Sequence, residues 1–263
     1  MLSETPVALT GDQIQQYRDQ GFLLVRGLLS PEEAAMLREE VHAAFRRAEV
    51  SPDGAWRSAD KVAGDVRPRL QGMHDMQHAS AAFGRLLYDD RFTAVAAALL
   101  DSDNVQLHHT KAFVKPPEQG APFPMHQDYP FFPHTDHRMA AAIFHLDAAP
   151  EEKGCVRLMP GSHKRGPLEH IEEGNWHLPV DDWPLASAVP VEAEPGDVLF
   201  FSYLMVHGSG INRSNEVRTT WLVQFRDPED RPTTDRHTGS RGQGMMLRGI
   251  DPTPIVHNPG KIV

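Results

Sequence analysis

The chain has 263 residues, 40% of them apolar and 24% charged, a balance that supplies enough apolar side chains for a core and excludes global disorder. Its 26 Lys and Arg stand against 36 Asp and Glu, a formal charge of −10, which excludes the basic footprint of a protein that wraps nucleic acid. No run approaches the roughly 20 apolar residues of a membrane helix, and a single cysteine, Cys155, excludes an intrachain disulfide or a multi-cysteine zinc site.

The N-terminal stretch MLSETPVALTGDQ has neither a basic nor an apolar segment, so no signal peptide is expected and a reducing, cytoplasmic setting fits. Gly11 to Asp19 reads as a short helix and Phe22 to Val25 as a strand broken at Gly27. Ser30, Pro31 and Glu33 form the start of a longer helix, with Ser30 as N-cap and Glu33 completing a capping box. Leu37, Val41, Ala44 and Phe45 follow at helical spacing and give it a core face. Ser51 to Val66 is polar and reads as a loop, and Ser80 to Tyr88 and Phe92 to Leu100 as two more helices. From Asn104 the pattern changes to short β-prone runs: Val105 to Lys115, Met139 to Asp147, Cys155 to Met159, Asp197 to Tyr203 and Arg218 to Phe225. Turns such as Pro160-Gly161-Ser162 and Pro195-Gly196-Asp197 separate them, the texture of an all-β barrel or sandwich. Residues 1–263 are therefore expected to form one domain: a helical part over 1–103, a β-core over 104–228, and a tail over 229–263 whose basic, glycine-rich Arg236 to Arg248 reads as mobile.

The chemistry concentrates in Pro124-Met125-His126-Gln127-Asp128-Tyr129-Pro130. On an extended strand, residues two apart face the same side, so His126 and Asp128 can converge on one ion. Two ligands hold a metal weakly. His207, after the apolar run Asp197 to Phe201 and before Gly208-Ser209-Gly210, is the best third ligand, with His145 and His163 as rivals. Two imidazoles and one carboxylate suit non-haem Fe(II) and leave positions open for a bidentate oxo-acid and dioxygen. Zinc is the competing metal, although the helical H-E-x-x-H pattern is missing. Arg218, eleven residues after His207 and at the head of an apolar strand, needs a carboxylate partner if it points inward. A carboxylate of the cosubstrate meets that need, with Ser209 as a second donor.

The ordered set of H-x-D, distal His and Arg resembles the Fe(II)/2-oxoglutarate-dependent oxygenases, and most of all the phytanoyl-CoA dioxygenase family. The resemblance rests on PMHQDYPFFP, EKGCVRLMPGSH, Pro195-Gly196-Asp197 and HGSGINRS, and extends over about Asp12 to Pro228. It implies a double-stranded β-helix, a jelly-roll core of cupin type, with supporting helices. It implies Fe(II) held by His126, Asp128 and His207, 2-oxoglutarate as cosubstrate held by Arg218 and Ser209, and O2 as oxidant. Gln71 and Lys111 fall near positions that contact the cosubstrate in relatives, and Phe144 stands where some relatives carry Trp. Phe132, His134, Phe144 and Trp221 are expected to wall the substrate pocket, with core packing as the competing explanation for the aromatics. Halogenating relatives carry Ala or Gly in place of the aspartate; Asp128 points to oxygenation, with hydroxylation of a small molecule of specialised metabolism as the default. Two other classes stay open on the residues alone: a cupin-like zinc or manganese enzyme working without 2-oxoglutarate, and a non-catalytic small-molecule binding protein on the same scaffold.

Overall fold

Helix α1 (Gly11–Gln20) begins with Thr10 and Gln13 bonded reciprocally as a capping box, and strand β1 (Phe22–Val25) follows. Helix α2 (Pro31–Glu49) starts on the Ser30–Glu33 box expected of it: the Ser30 N–H donates to Glu33 Oε2 at 2.8 Å and the Glu33 N–H to Ser30 Oγ at 3.2 Å. Strands β2 (Trp56–Ser58) and β3 (Leu70–His74) pair with each other. The helix expected over Ser80 to Tyr88 is α4 (Ala81–Leu86), and a short helix not expected, α3 (Met76–Ala79), precedes it. Ser80 separates them because its hydroxyl accepts from the Ala82 and Phe83 N–H groups and caps the second piece. Helix α5 (Asp90–Leu100) closes this part. The β-core follows with β4 (Val105–Lys115), β5 (Phe123–His126), β6 (Met139–His145), β7 (Val156–Leu158), β8 (Val189–Val191), β9 (Val198–Ser202), β10 (His207–Ser209), β11 (Arg218–Arg226) and β12 (Met246–Arg248).

This computed structural model describes residues 8–49, 56–58, 70–117, 122–172, 176–235 and 240–253, with the main chain alone for 49, 56–58, 70 and 71. Two antiparallel sheets face each other. The larger runs β1-β9-β6-β11-β4-β3-β2 with β12 on β4, and the smaller runs β5-β10-β7-β8. This is the expected double-stranded β-helix, with three corrections to its limits. Strands from the N-terminal part, β1, β2 and β3, extend the larger sheet, so the β-core is not confined to 104–228. The loop expected over 51–66 contains β2, and its other residues lie outside the described ones. The tail expected to be mobile contributes β12, whose Met246 and Arg248 pair with Gln106 and Val105; residues 236–239 and 254–263 lie outside the described ones.

Strand alternation sorts the side chains of the larger sheet. Trp221, Val223 and Phe225 of β11 join Phe144 and Ala142 of β6, Phe200 of β9 and Phe83 and Phe92 of the helices in one buried cluster. Arg218, Thr220, Leu222 and Gln224 of β11 face the opposite way, into a cavity between the sheets. The helical layer is tied to the sheets by the Pro195-Gly196-Asp197 turn. Asp197 accepts from the Arg26 guanidinium at 2.6 Å and from the Gly27 N–H at 2.9 Å. Gly196 has φ of 96°, and a Cβ there would sit 2.3 Å from the Leu29 carbonyl oxygen, so the turn docks on β1–α2 only as glycine.

Phe144 and Trp221, expected in the substrate pocket, therefore belong to the core under the helices. Both are fully buried, Trp221 edge-on to Phe83 at 4.8 Å and 5.2 Å from Phe144. Trp221→Ala is expected to cost about 3–5 kcal/mol, read as a lowered midpoint in urea denaturation of the ligand-free protein. A loss under about 1 kcal/mol would contradict the core placement.

Candidate active site

Strand β5 ends at His126 and β10 begins at His207, and the two are partners across the smaller sheet. Asp128 does not continue the strand as expected. With φ −73° and ψ −22° it caps a single 3-10 turn over Tyr129–Phe131, and its N–H donates to the Tyr203 carbonyl at 3.0 Å. The intervening Gln127 fixes that turn. Fully buried, its amide donates to the Leu204 and Gly166 carbonyls at 2.6 and 3.0 Å and accepts from the Leu168 N–H at 2.8 Å. A bent backbone, rather than strand alternation, brings imidazole and carboxylate together.

His126 Nε2 lies 3.9 Å and His207 Nε2 3.7 Å from Asp128 Oδ1. One donor atom from each of the three residues lies within 4.8 Å of the others. The Nδ1 atoms sit 2.8 Å from the Pro124 carbonyl and 2.9 Å from the Met205 carbonyl. A carbonyl only accepts, so each Nδ1 carries the proton and each Nε2 keeps its lone pair for the shared point. Burial pushes the imidazoles down, His126 to about 3 and His207 to about 4, so both are neutral, the form that ligates. Gln224 Nε2 approaches Asp128 Oδ2 at 3.4 Å. Two neutral imidazoles with one carboxylate on a single side of the shared point fit a ferrous ion with open positions. His145 and His163 are not part of the cluster: His163 Nε2 bonds the Arg18 carbonyl at 3.1 Å, and both ring nitrogens of His145 are buried without a hydrogen-bond partner.

A cavity of about 350 Å³ opens beside the three residues. Arg218 and Ser209 line it, as do Lys111 and Phe132. Arg218 is buried, one Nη donating to the Gly154 carbonyl and Nε left without a partner. Burial pushes its guanidinium down to about 10. Gly154 (φ 66°) itself packs against Gly210, where a Cβ would lie 2.3 Å from the Gly210 carbonyl oxygen. Lys111 stands over the Phe113 ring at 4.8 Å, its ammonium pushed down to about 8 by burial. Gln71 pairs with Val114 through its backbone, and its side chain lies outside the described ones. His134 is not on the cavity: its Nδ1 bonds the Phe132 carbonyl at 2.8 Å and its ring packs 5.6 Å from His108. Its backbone pairs with that of Pro232 in the C-terminal chain.

Sequence reasoning missed several lining residues: His74, His109, Phe113, Phe123, Trp176 and Gln224. It also missed Lys115, a fully buried lysine whose backbone pairs with that of Arg218. Alternation was the available signal. With Arg218 inward, Thr220, Leu222 and Gln224 follow it and Trp221 cannot.

Residues 17–220 match the family described as Phytanoyl-CoA dioxygenase (PhyH). A probable alpha-ketoglutarate-dependent hypophosphite dioxygenase of Stutzerimonas stutzeri is 27% identical over 255 residues, 90% of this chain and 86% of that protein. The peroxisomal phytanoyl-CoA dioxygenase of Rattus norvegicus is 28% identical over 233 residues, 80% of this chain and 66% of the relative. Among solved structures, the non-heme alpha ketoglutarate dependent carbocyclase SnoK from nogalamycin biosynthesis superposes with a TM-score of 0.74 over 94% of this chain and 97% of that one, at 22% identity, a likeness of fold. With a family match over most of its length and the metal-binding geometry in place, the chain belongs to the phytanoyl-CoA dioxygenase (PhyH) family of Fe(II)- and 2-oxoglutarate-dependent dioxygenases.

Proposed function

We propose that this enzyme hydroxylates an unactivated C–H bond of a small molecule, with His126, Asp128 and His207 as the iron ligands and Arg218 with Ser209 as the anchor for the distal carboxylate of 2-oxoglutarate. The observation that carries the reading is the juxtaposition of three convergent metal donors with a buried guanidinium that has no carboxylate partner among the described residues. An isolated buried cation is costly, and an anionic ligand at that end of the cavity removes the cost. A metallohydrolase or isomerase using the same three ligands gives Arg218 no such task.

Bound Fe(II) supplies the oxidative decarboxylation of 2-oxoglutarate to succinate and CO2 with O2, coupled to oxidation of the substrate. The chain's own residues supply position and exclusion. The Pro124 and Met205 carbonyls hold the two imidazoles in one tautomer and orientation, and Gln127 holds the turn that presents Asp128. Arg218 offers a planar fork for bidentate bonding to a carboxylate. Phe113, Phe123, Phe131, Phe132 and Trp176 make much of the cavity wall apolar, which keeps water from competing with substrate. The volume of about 350 Å³ suits a small molecule beside the cosubstrate, and a compound of specialised metabolism is our preferred class.

Anaerobic Fe(II) and 2-oxoglutarate are expected to give a weak visible charge-transfer band, and a small-molecule screen scored by succinate release is expected to find coupled substrates. His126→Ala and Asp128→Ala are each expected to abolish the band and the succinate signal. Succinate formation that persists undiminished in both variants would sink the ligand assignment.

Arg218→Met is expected to weaken 2-oxoglutarate binding at least about 30-fold, the effect of truncating one partner of a buried charge pair. The same change removes a buried cation without a carboxylate partner among the described residues, so the melting temperature of the ligand-free protein should hold or rise. A scanning-calorimetry trace with a lowered melting temperature and unchanged 2-oxoglutarate affinity would show that Arg218 serves the fold instead.

A further inference from the structure

Lys115 closes strand β4 directly opposite Arg218 on β11. Like charges at facing positions of a sheet repel, and here both are buried. Neither has a carboxylate partner among the described residues: Lys115 Nζ donates to Ser209 Oγ at 2.8 Å and to the Gly210 carbonyl at 2.6 Å, and Arg218 donates to the Gly154 carbonyl. Asn212 holds the end of β4 in place, its amide donating to the Lys115 carbonyl at 3.2 Å. Packing alone does not account for a lysine here, since a methionine or leucine fills the same volume without a buried charge. The partners of Lys115 give it a use. Burial, and after it the facing Arg218, push the Lys115 ammonium well below its usual range, and a carboxylate bound beside Arg218 draws it back to the charged form. An ammonium has three donors and no acceptor, so Ser209 Oγ receives a hydrogen bond from Lys115. The Ser209 hydroxyl hydrogen cannot then point back at the ammonium, and Ser209 lines the same cavity as Arg218.

We propose that Lys115 is a positioning residue for the cosubstrate: by donating to Ser209 Oγ it turns the Ser209 proton toward the distal carboxylate held by Arg218, and it adds a second positive charge behind that carboxylate. The inference rests on the assignment of Arg218 and Ser209 to 2-oxoglutarate made above. Lys115 acts through Ser209, so the two residues form one unit. The unit recognises only the far carboxylate, because the other end of the cosubstrate belongs to the metal.

Two probes separate these ends: 2-oxoglutarate, and 2-oxobutyrate, which has the same 2-oxo acid but lacks the distal carboxylate. Both are titrated anaerobically against the Fe(II)-loaded enzyme by the visible band. Lys115→Met is expected to weaken 2-oxoglutarate binding at least about tenfold, as for loss of a charge-assisted hydrogen bond, and to leave 2-oxobutyrate within about twofold. Ser209→Ala should show the same selectivity, and the double variant should be little worse than either single one. Equal loss for both oxo-acids, no loss for 2-oxoglutarate, or additive effects of the two substitutions would overturn the proposal. Should Lys115→Met fail to fold, Ser209→Ala decides: unchanged 2-oxoglutarate affinity in that variant refutes the unit. If the wild-type enzyme gives no band with 2-oxoglutarate, the underlying cosubstrate reading has failed; a band that Arg218→Met weakens and Lys115→Met does not refutes this inference alone.

Discussion

Alternation along β11 is the constraint from which the site follows. Each residue of that strand is committed to one of two environments, the helix-covered core or the cavity, and the register with β4 and β6 on either side extends the choice to both neighbours. Trp221 meets Phe144 on one face, and Arg218 stands beside Lys115 on the other. A shift by one residue would turn the Arg218 guanidinium toward the helix-covered face and Trp221 into the cavity. Such a slip costs both the apolar burial and the solvation of the charge, so the helical layer that covers the outer face also fixes what the inner face presents.

The cavity is built with charges that the protein alone does not balance. Among the described residues Arg218 and Lys115 have no carboxylate partner, and the imidazoles of His126 and His207 are held neutral by burial, so Asp128 is the acid of the candidate metal cluster. On the reading proposed above, a ferrous ion and a dianionic oxo-acid would carry opposite charges that answer this arrangement. The ligand-free state therefore bears a cost that the complex relieves, a trade of stability for preorganised binding. Protein donors already aligned on backbone carbonyls need little reorganisation when the ligands arrive.

Local signals in the sequence carried much of this. The Ser30–Glu33 box, the apolar spacing behind it and the β-prone runs after Asn104 rest on interactions between near neighbours, and the folded chain contains all three. The metal cluster was legible because its residue types are rare in combination, although its mechanism was not: Asp128 reaches the shared point through a turn held by Gln127, whose partners are 39 to 77 residues away in sequence. Lys115 was invisible for the same reason. Its meaning depends on Ser209, 94 residues away. Phe144 and Trp221 were misplaced because an aromatic on a buried strand satisfies a pocket and a core equally well until parity is fixed.

The parts of the cavity differ in what they are free to vary. The two imidazoles of the candidate metal site are bound to the main chain through Pro124 and Met205, and the cation end is bound to it through Gly154 and Gly210, whose close approach tolerates no side chain at Gly154. Substitution there disturbs the backbone itself. The remaining wall, with His74 and His109 from the larger sheet and Phe123, Phe131 and Trp176 from elsewhere in the chain, is made of side chains whose replacement leaves those main-chain bonds intact. Selectivity between substrates is a difference of affinities set by such walls. One frame can thus keep its oxidative chemistry constant while the surface that meets the substrate changes, here a mixture of aromatic faces with two imidazoles and Lys111.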